Sequence, residues 1–362
     1  MQRRSFLKQA SVAGVAAVAA ATPAIAADTP TVRWRMASSF PKNLDVLFGN
    51  AEGFCKRVSQ LTNGKFEITP SAAGEIAPGT QVLDVVQNGT VACGQTTGYY
   101  YVGKNKTLAF DTAVPFGLTA RQQAAWLLQG GGLELMREVY AEFGVINFLA
   151  GSTGVQMGGW FRKEVKGLAD LKGLKMRIPG MGGELLSRLG VVPQNLTGGD
   201  VYPALEKGTI DATEFVGPYD DEKLGFYKVA PHYYYPSFWE PGSTISMIVN
   251  KTEWAKLPPD FKAAFEVACN EANQIMQATY DAKNPVALVS LLQKGVKLHK
   301  FSDDILKAAQ TEAFKMYDEE AAKSPQFAKV YESWKKFRAL EQGWFGLAES
   351  ALENFMYANR KS

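Results

Sequence analysis

The sequence predicts an α/β protein built as two lobes with a cleft between them, followed by a long helical C-terminal region. Three patterns support this prediction. Strand and helix signals alternate from residue 31 onward, a helix–glycine–strand pattern occurs once in each half, and the residues after Trp254 are almost wholly helical in pattern. Alternation of this kind is typical of wound α/β domains with a largely parallel sheet.

The alternation begins with three predicted elements in the first forty residues after residue 30. Thr31–Ala37 alternates like a strand. Leu44–Thr62 carries apolar residues at helical spacing and ends at Asn63-Gly64, and Lys65–Pro70 returns to a strand pattern. We therefore expect a β-helix-β unit at the start of the first lobe.

Two distant segments share one pattern. Val82–Cys93 and Tyr202–Ala212 both run from an apolar helix through a polar pair, a glycine and a threonine into a strand. Each predicts a helix that ends at a left-handed glycine cap. The match favours two similarly built lobes, although the same pattern is common in α/β proteins that have no internal symmetry.

The second lobe is predicted to begin near Gly151. A strand ends at residues 160–162, a turn and a short helix cover residues 165–173, and a further strand covers Leu174–Pro179. Leu257-Pro258-Pro259 then marks the start of a helix over residues 260–282. Because the helical tail is too long for one lobe, we expect it to cross both lobes and brace them.

These patterns give a predicted division of the chain. We expect residues 1–26 as a signal peptide, residues 27–152 with a returning segment near 241–280 as lobe 1, residues 153–240 with part of 281–335 as lobe 2, and residues 336–362 as a C-terminal helix.

The first 26 residues resemble an export signal. A basic segment precedes an apolar stretch from about Ala10 to Ala21, which is too short to span a bilayer, and Ala24–Ala26 is a small-residue cleavage site. The segment Arg3–Lys8 looks like a twin-arginine signal, which predicts folding before export to the periplasm. An ordinary secretory signal with two arginines is the alternative.

Charge and composition narrow the function. Loss of residues 1–26 removes three of the 39 basic residues and none of the 36 acidic residues, so the mature chain is formally neutral. A neutral chain gives no support for binding nucleic acid or anionic membranes. The three cysteines are expected to be buried apolar residues, with a single disulfide as the alternative, and only two histidines argue against a zinc site or a histidine-based triad.

Motifs of known catalytic sites are missing from the sequence. It contains no GxSxG, HExxH, Walker or strand-linked GxGxxG motif. The glycine run at Gln129–Leu133 lacks the Lys-Ser/Thr pair of a phosphate loop, so we interpret it as a turn before a helix. We therefore predict a binding protein rather than an enzyme; an exported enzyme with Glu214 as general base is the rival.

Arg177 is the first candidate for ligand binding. It stands near the end of a predicted strand, one residue before Pro179-Gly180 and the start of a helix. Ligands of α/β lobes bind outside the carboxyl ends of strands, and a guanidinium offers a carboxylate two parallel donors.

Three motifs carry a resemblance to a known family. They are Gly173–Gly180, Gly199–Ala212 and Glu214–Pro218. Together they are similar to the solute-binding subunits of tripartite ATP-independent periplasmic (TRAP) transporters, and the resemblance covers essentially the whole mature chain. It implies a two-lobed periplasmic solute-binding fold with the ligand between the lobes, and membrane transporter subunits as partners.

The match is closest to the branch that binds 2-oxo or 2-hydroxy acids together with a metal ion, with Val216–Tyr219 after an acidic residue. The resemblance implies that Arg177 holds the ligand carboxylate and that Gln156 meets ligand and cation. It implies that Glu214 and the Phe215 carbonyl are cation ligands. Oxygen ligands of this kind bind hard cations, and we expect Na⁺, with Ca²⁺ as the alternative. Some relatives have tryptophan where this chain has Phe215, which changes the pocket wall.

Further roles stay open at this stage. Tyr99 and Tyr100 match a pocket position, or they are core and surface aromatics of one strand. Glu240 is a second cation ligand or a hinge residue. The apolar segment Phe337–Asn359 forms a homodimer contact or packs back on its own lobes. A C4-dicarboxylate, a sugar acid or an aromatic acid are the alternative ligands.

Overall fold

The computed structural model describes residues 30–194 and 196–360. The predicted signal peptide with its twin-arginine motif lies outside the described residues. Across those two ranges, no helix combines the length and the apolar character needed to cross a bilayer.

The described residues form eleven strands and twelve α-helices. The strands are β1 (Val32–Ser38), β2 (Phe66–Ser71), β3 (Cys93–Thr96), β4 (Val145–Ser152), β5 (Gly159–Phe161), β6 (Lys175–Arg177), β7 (Val192–Gln194), β8 (Ala212–Thr213), β9 (His232–Tyr235), β10 (Thr244–Asn250) and β11 (Lys297–Lys300). The helices are α1 (Leu47–Leu61), α2 (Val82–Gln87), α3 (Ala120–Gln129), α4 (Gly132–Ala141), α5 (Gly180–Arg188), α6 (Gly198–Glu206), α7 (Pro218–Leu224), α8 (Lys251–Lys256), α9 (Pro259–Gln293), α10 (Asp303–Ala321), α11 (Pro325–Leu347) and α12 (Glu349–Ala358).

The strands form two separate sheets. The first has the order β2-β1-β3-β10-β4, and the second has the order β11-β9-β5-β8-β6-β7. In each sheet a single strand, β10 or β5, runs antiparallel to both of its neighbours, while the other pairings are parallel. The mixed α/β architecture predicted from the sequence is therefore confirmed. We refer below to the first-sheet and second-sheet sides as lobe 1 and lobe 2.

The chain passes between the two sheets three times. It leaves the first sheet after Ser152, returns to it at Thr244, and reaches the second sheet again at Lys297. Three connections therefore run between the lobes, and two of them carry residues that were singled out in the sequence.

Local signals explain three of the helix ends. Asn63 and Gly64 have φ values of 50° and 74°, so the chain leaves α1 in a left-handed turn. The predicted glycine caps are confirmed as well, because Gly89 and Gly208 have φ values of 76° and 72°.

Helix α9 braces both lobes, as the length of the helical tail predicted. Its 35 residues extend about 52 Å at ~1.5 Å per residue. Near its start, Phe265 packs edge-on against Phe54 with ring centroids 4.8 Å apart. Further along, the Tyr280 hydroxyl donates a hydrogen bond of 2.5 Å to Asp220 in α7. The predicted end at residue 282 is wrong, since the helix continues through Pro285 to Gln293.

The tail also contains two features that the sequence pattern missed. Strand β11 interrupts the helices and pairs in parallel with β9 at an edge of the second sheet. Its side chains are largely exposed and do not alternate between apolar and polar, so the sequence pattern did not predict a strand here. No element begins at residue 336, because α11 runs unbroken from Pro325 to Leu347.

The cysteines are buried together in the core of the first lobe. Cys55, Cys93 and Cys269 belong to one apolar cluster with Trp34 and Phe265, and none of the three forms a disulfide. Burial raises the pKa of each thiol, which makes them unreactive apolar side chains.

Candidate functional site

A small cavity lies between the two lobes. Its volume is only about 10 Å³, far below the ~300–1,000 Å³ typical of ligand pockets, so the lobes are nearly closed on each other here. The lobe 1 side is lined by Phe40, Leu47, Thr97, Tyr99, Tyr100 and Ile245. The other side is lined by Thr153, Gln156, Arg177, Phe215 and Val216. Five of the seven residues singled out from the sequence thus share one cavity.

Arg177 forms the basic wall of this cavity. It is the last residue of β6, as predicted, and its side chain is only 2% exposed. The guanidinium donates to a carboxylate oxygen of Glu214, to the Glu214 backbone carbonyl at 3.0 Å and to the Leu196 carbonyl at 3.1 Å. It also lies over the Phe215 ring, 5.6 Å from the centroid. These contacts fix the position of the Arg177 guanidinium before any ligand binds.

Glu214 lies directly behind Arg177, between β8 and α7. Burial and the neighbouring Glu240 raise the pKa of this carboxyl well above its usual range, and Arg177 opposes that rise. One of its oxygens, Oε2, is buried and has no hydrogen-bond partner among the described residues. A buried carboxylate oxygen without a partner is unfavourable, so this atom is available to a cation or a donor group.

Gln156 presents a second buried acceptor of the same kind. It lies in the connection between β4 and β5, and its amide nitrogen donates to Thr153 Oγ1 at 3.0 Å. This bond fixes which end of the amide is turned towards Thr153. The amide oxygen, Oε1, has no hydrogen-bond partner in the described part of the chain. Sequence reasoning missed Thr153, because its role depends on a contact three residues away in an irregular loop.

Glu240 lies in the connection between β9 and β10 and is 3% exposed. Ser243 donates a hydrogen bond of 2.6 Å to its Oε2. Burial raises the pKa of Glu240 to about 7, against the stabilising contacts of Ser243 and Arg177. Glu240 does not line the cavity itself, but the side chains of Tyr99 and Gln156 lie close enough to affect its charge. Ser243 gave no sequence signal either.

Tyr99 and Tyr100 both line the cavity, on a 3₁₀ turn over Gly98–Tyr101 rather than on a strand. Their rings meet edge-on with centroids 5.1 Å apart. Tyr99 also touches the other lobe: a Cβ atom added to Gly180, the first residue of α5, would lie 2.9 Å from Tyr99 Cβ. Close packing of the two lobes at this point requires a glycine.

The donor set suits a hard cation. Amide, carboxylate and backbone carbonyl oxygens from Gln156, Glu214, Glu240 and Phe215 are the ligand types that Na⁺ and Ca²⁺ take. The two buried oxygens without partners, Gln156 Oε1 and Glu214 Oε2, are consistent with such an ion. Within residues 30–194 and 196–360, no three His, Cys, Asp or Glu side chains are grouped as metal ligands, so carboxylates alone do not form the site.

A second interlobe contact was not anticipated from the sequence. Asp45, just before α1, accepts hydrogen bonds from Lys223 and from the Tyr219 hydroxyl, the latter at 2.8 Å, and Lys283 bonds to the same hydroxyl at 2.8 Å. Partial burial raises the pKa of Asp45, but these donors outweigh that effect and lower it to about 2. This group, called the Asp45 latch below, joins lobe 1 to α7 of lobe 2.

Comparison with known proteins identifies the family. The model of the bacterial extracellular solute-binding protein family 7 matches residues 37–324, most of the chain. The chain belongs to this family. The recognition from the Gly173–Gly180, Gly199–Ala212 and Glu214–Pro218 motifs is thereby confirmed.

Individual members of family 7 support a closer grouping. The monocarboxylate 2-oxoacid-binding periplasmic protein of Nostoc sp. is 53% identical over 360 residues, covering 98% of this chain and 99% of that protein. A TRAP solute-binding protein from Bordetella bronchiseptica, crystallised as a mixed-occupancy dimer with co-purified calcium and picolinate in one site, is 52% identical with a TM-score of 0.90. That match covers 91% of this chain and 98% of that chain. A TRAP solute-binding protein from Pseudoalteromonas atlantica with bound sodium and pyruvate is 37% identical with a TM-score of 0.87, over 90% of this chain and 99% of that chain.

Proposed function

We propose that this protein is the periplasmic solute-binding subunit of a TRAP transporter and that it binds a small 2-oxo or 2-hydroxy monocarboxylate together with a cation. The observation that carries the proposal is the combination of a buried guanidinium, Arg177, with two buried oxygens that lack partners among the described residues. Arg177 and Gln156 line the small interlobe cavity, and Glu214 lies directly behind Arg177. The Nostoc, Bordetella and Pseudoalteromonas proteins support the ligand class and the cation.

Charge balance explains why a cation would accompany the acid. Arg177 already interacts with the Glu214 carboxylate, and Glu240 is close by. A ligand carboxylate entering this site meets two acids and one base, which is unfavourable in a buried environment. A bound cation would supply the missing positive charge. We propose Gln156 Oε1, Glu214, Glu240 and the Phe215 carbonyl as its ligands, with Arg177 free to turn a donor towards the substrate.

The ligand class follows from the position of the oxygens. A 2-oxo or 2-hydroxy acid offers a second oxygen on the carbon next to the carboxylate, so it can chelate a cation that a simple carboxylate binds through one group. Picolinate, bound by the Bordetella protein, has the same arrangement with a ring nitrogen in place of the oxygen. The cavity is nearly closed, so any acid requires the walls at Tyr99 and Phe215 to move; short acids require the smallest movement, while C4-dicarboxylates, sugar acids and aromatic acids larger than picolinate require more.

Closure of the lobes would report binding to the membrane subunits. A ligand held between Arg177 on one side and Tyr99 or Tyr100 on the other makes its full set of contacts only when the lobes meet. The closed form is then favoured by the difference in affinity between the two states. The Asp45 latch and the Gly180–Tyr99 contact would be remade at each closure.

Titration calorimetry tests this proposal. Ligand-stripped protein is titrated with pyruvate, longer 2-oxo acids, lactate, picolinate and succinate, with Na⁺, with Ca²⁺ or with a chelator. We expect 2-oxo acid binding that depends on the cation and that Arg177→Ala and Glu214→Ala each abolish. Unchanged affinity in either variant would refute the site, and tighter binding of succinate would change the ligand class.

The same preparations separate a receptor from an enzyme. A receptor returns the acid chemically unchanged after prolonged incubation, whereas turnover would favour the rival in which Glu214 acts as a general base. Glu214 and Glu240 are buried acids close to each other and to Arg177, so the pair Glu214→Gln and Glu240→Gln is the matched control for any activity that is detected.

Dimerisation is a further part of the proposal. The end of α11 and all of α12 carry large apolar side chains that are 50–78% exposed, namely Leu340, Trp344, Leu347, Leu352, Phe355, Met356 and Tyr357. This segment makes few contacts with the rest of the chain. Among them, Arg121 forms an ion pair with Glu349 and lies over the ring of Phe345. Equilibrium sedimentation is expected to give a dimer for the full chain and a monomer after Leu352→Glu and Phe355→Glu; a wild-type monomer would refute it.

A further inference from the structure

The two histidines of the chain are in direct contact on the surface of lobe 2. His232 opens β9 and His299 lies in β11, and their Nδ1 and Nε2 atoms are 2.9 Å apart. They are 67 residues apart in sequence and meet because the two strands pair in parallel at the edge of the second sheet. The cleft with Arg177 and Glu214 makes no use of either residue.

We propose that this pair is a second metal site, for Cu²⁺ or Ni²⁺, separate from the cation site in the cleft. With metal–nitrogen distances of about 2.0–2.1 Å, two nitrogens 2.9 Å apart subtend an angle of about 90° at the metal. That is the angle between neighbouring ligands of a square-planar or octahedral ion, and it is narrower than the tetrahedral geometry of structural zinc. Imidazole nitrogen suits both ions, and Cu²⁺ binds most tightly among the divalent metals of its row.

The surroundings hold His299 ready for this role. Its ring stacks on Tyr234 with centroids 4.9 Å apart and an interplanar angle of 18°. Tyr234 is itself fixed through its hydroxyl, which bonds to the backbone nitrogen and carbonyl of Val165. Glu164 Oε1 lies 3.9 Å from the other ring nitrogen, Nδ1. A carboxylate on that side favours the proton on Nδ1 and leaves the Nε2 lone pair facing His232, the arrangement seen around many metal-bound histidines.

The site is also accessible to solvent. The His299 side chain is 23% exposed, and His232 is half-buried. With the His299 Nε2 lone pair as acceptor, His232 Nδ1 is the donor in the 2.9 Å contact, so metal binding moves the His232 ring proton from Nδ1 to Nε2 and the metal takes its place between the rings. Water completes the coordination, because only two protein nitrogens are supplied. A bound metal would join β9 to β11 and so fasten the segment that follows α9 to lobe 2.

Electron paramagnetic resonance of the Cu²⁺-loaded full chain, without a histidine tag, tests this assignment. One equivalent of Cu²⁺ is expected to show hyperfine splitting from two imidazole nitrogens. His232→Gln and His299→Gln are each expected to remove that signal and to weaken Cu²⁺ binding, measured by competition titration, by about tenfold or more, and Glu164→Gln by about tenfold. The double histidine variant corrects for Cu²⁺ held by the terminal amine, since no other imidazole exists in the chain.

Two controls separate this site from the cleft and from misfolding. Glu214→Gln is expected to leave the Cu²⁺ spectrum unchanged, and Lys297→Gln, which removes a positive charge from the same strand, is expected to keep or strengthen binding. Cu²⁺ or Ni²⁺ should raise the melting temperature of the wild type and not that of the double variant. A wild-type spectrum without two-imidazole splitting, or equal affinity in the wild type and the double variant, would overturn the proposal, and the hydrogen bond would then serve strand pairing alone.

Discussion

The close approach of the lobes at Gly180 makes a prediction about closure. Gly180 has φ of 63°, and a Cβ atom there would lie 2.9 Å from Tyr99 Cβ in the opposite lobe. Gly180→Ala therefore has two effects. The left-handed backbone costs roughly 1–2 kcal/mol of stability in any state, and the contact with Tyr99 adds a penalty only when the lobes are closed.

The size of the second effect follows from packing. Fitting an extra methyl into a close-packed contact typically costs about 1–3 kcal/mol. Since the open form escapes this penalty, the whole of it appears in the closing equilibrium and hence in ligand affinity, as a rise in Kd of roughly 5- to 150-fold.

A matched control isolates the contact from the backbone strain. Gly173 has a similar φ of 75° and belongs to the same lobe, but an added Cβ there would meet nothing within 4 Å. Gly173→Ala should lower the melting temperature about as much as Gly180→Ala and leave Kd unchanged. Calorimetry of both variants with the best 2-oxo acid decides the question: equal Kd values for the two would show that the lobes do not meet at Tyr99 when ligand is bound.

Three other predictions test the latch, the buried acids and the pocket. Asp45→Asn should raise Kd, while the control Asp84→Asn, which breaks an exposed ion pair with Lys104 inside lobe 1, should leave Kd unchanged. The pKa of Asp45 is lowered to about 2, so the latch contributes fully above pH 3.8, the pKa of the unfolded chain, and is lost as the pH falls towards 2. Added salt should weaken the latch in the same way. The pKa of Asp220 is shifted in the opposite direction, because burial raises it to about 7. The contribution of Asp220 to the free energy of unfolding is therefore fully present below pH 3.8 and is lost as the pH rises to about 7. Asp220→Asn should have a higher melting temperature than the wild type at pH 8 but not at pH 4. Thr153→Val should leave folding intact yet free the Gln156 amide to turn, weakening cation-dependent binding by about tenfold. Thr252→Val, at an exposed position of α8, is the control, and equal titrations of the two variants would show that Thr153 does not position Gln156.

Much of the fold could be predicted because its signals are local. The left-handed glycines at Gly89 and Gly208 end helices through their own backbone geometry, and the apolar spacing of α1 records the face that it buries. Strand β11 could not be found in this way. It is held by hydrogen bonds to β9 with little side-chain burial, so nothing in residues 297–300 distinguishes it from a turn between helices.

The candidate site divides along the same line. Arg177, Gln156 and Glu214 were recognisable because strand-end position and family motifs mark them, whereas Thr153 and Ser243 act through single hydrogen bonds to those residues and have no motif of their own. The Asp45 latch joins residues up to 238 positions apart, and its charges are ordinary surface charges when read along the chain.

The sequence by itself determined the α/β class, the family and the helical brace, and it predicted Arg177 as the ligand-binding arginine, because composition, periodicity and motifs are properties of neighbouring residues. Only the tertiary structure decided which oxygens are buried without partners, where the lobes touch at Gly180 and Tyr99, and that His232 meets His299. Those features depend on burial and on distances between remote segments, and both quantities come into existence only when the chain has folded.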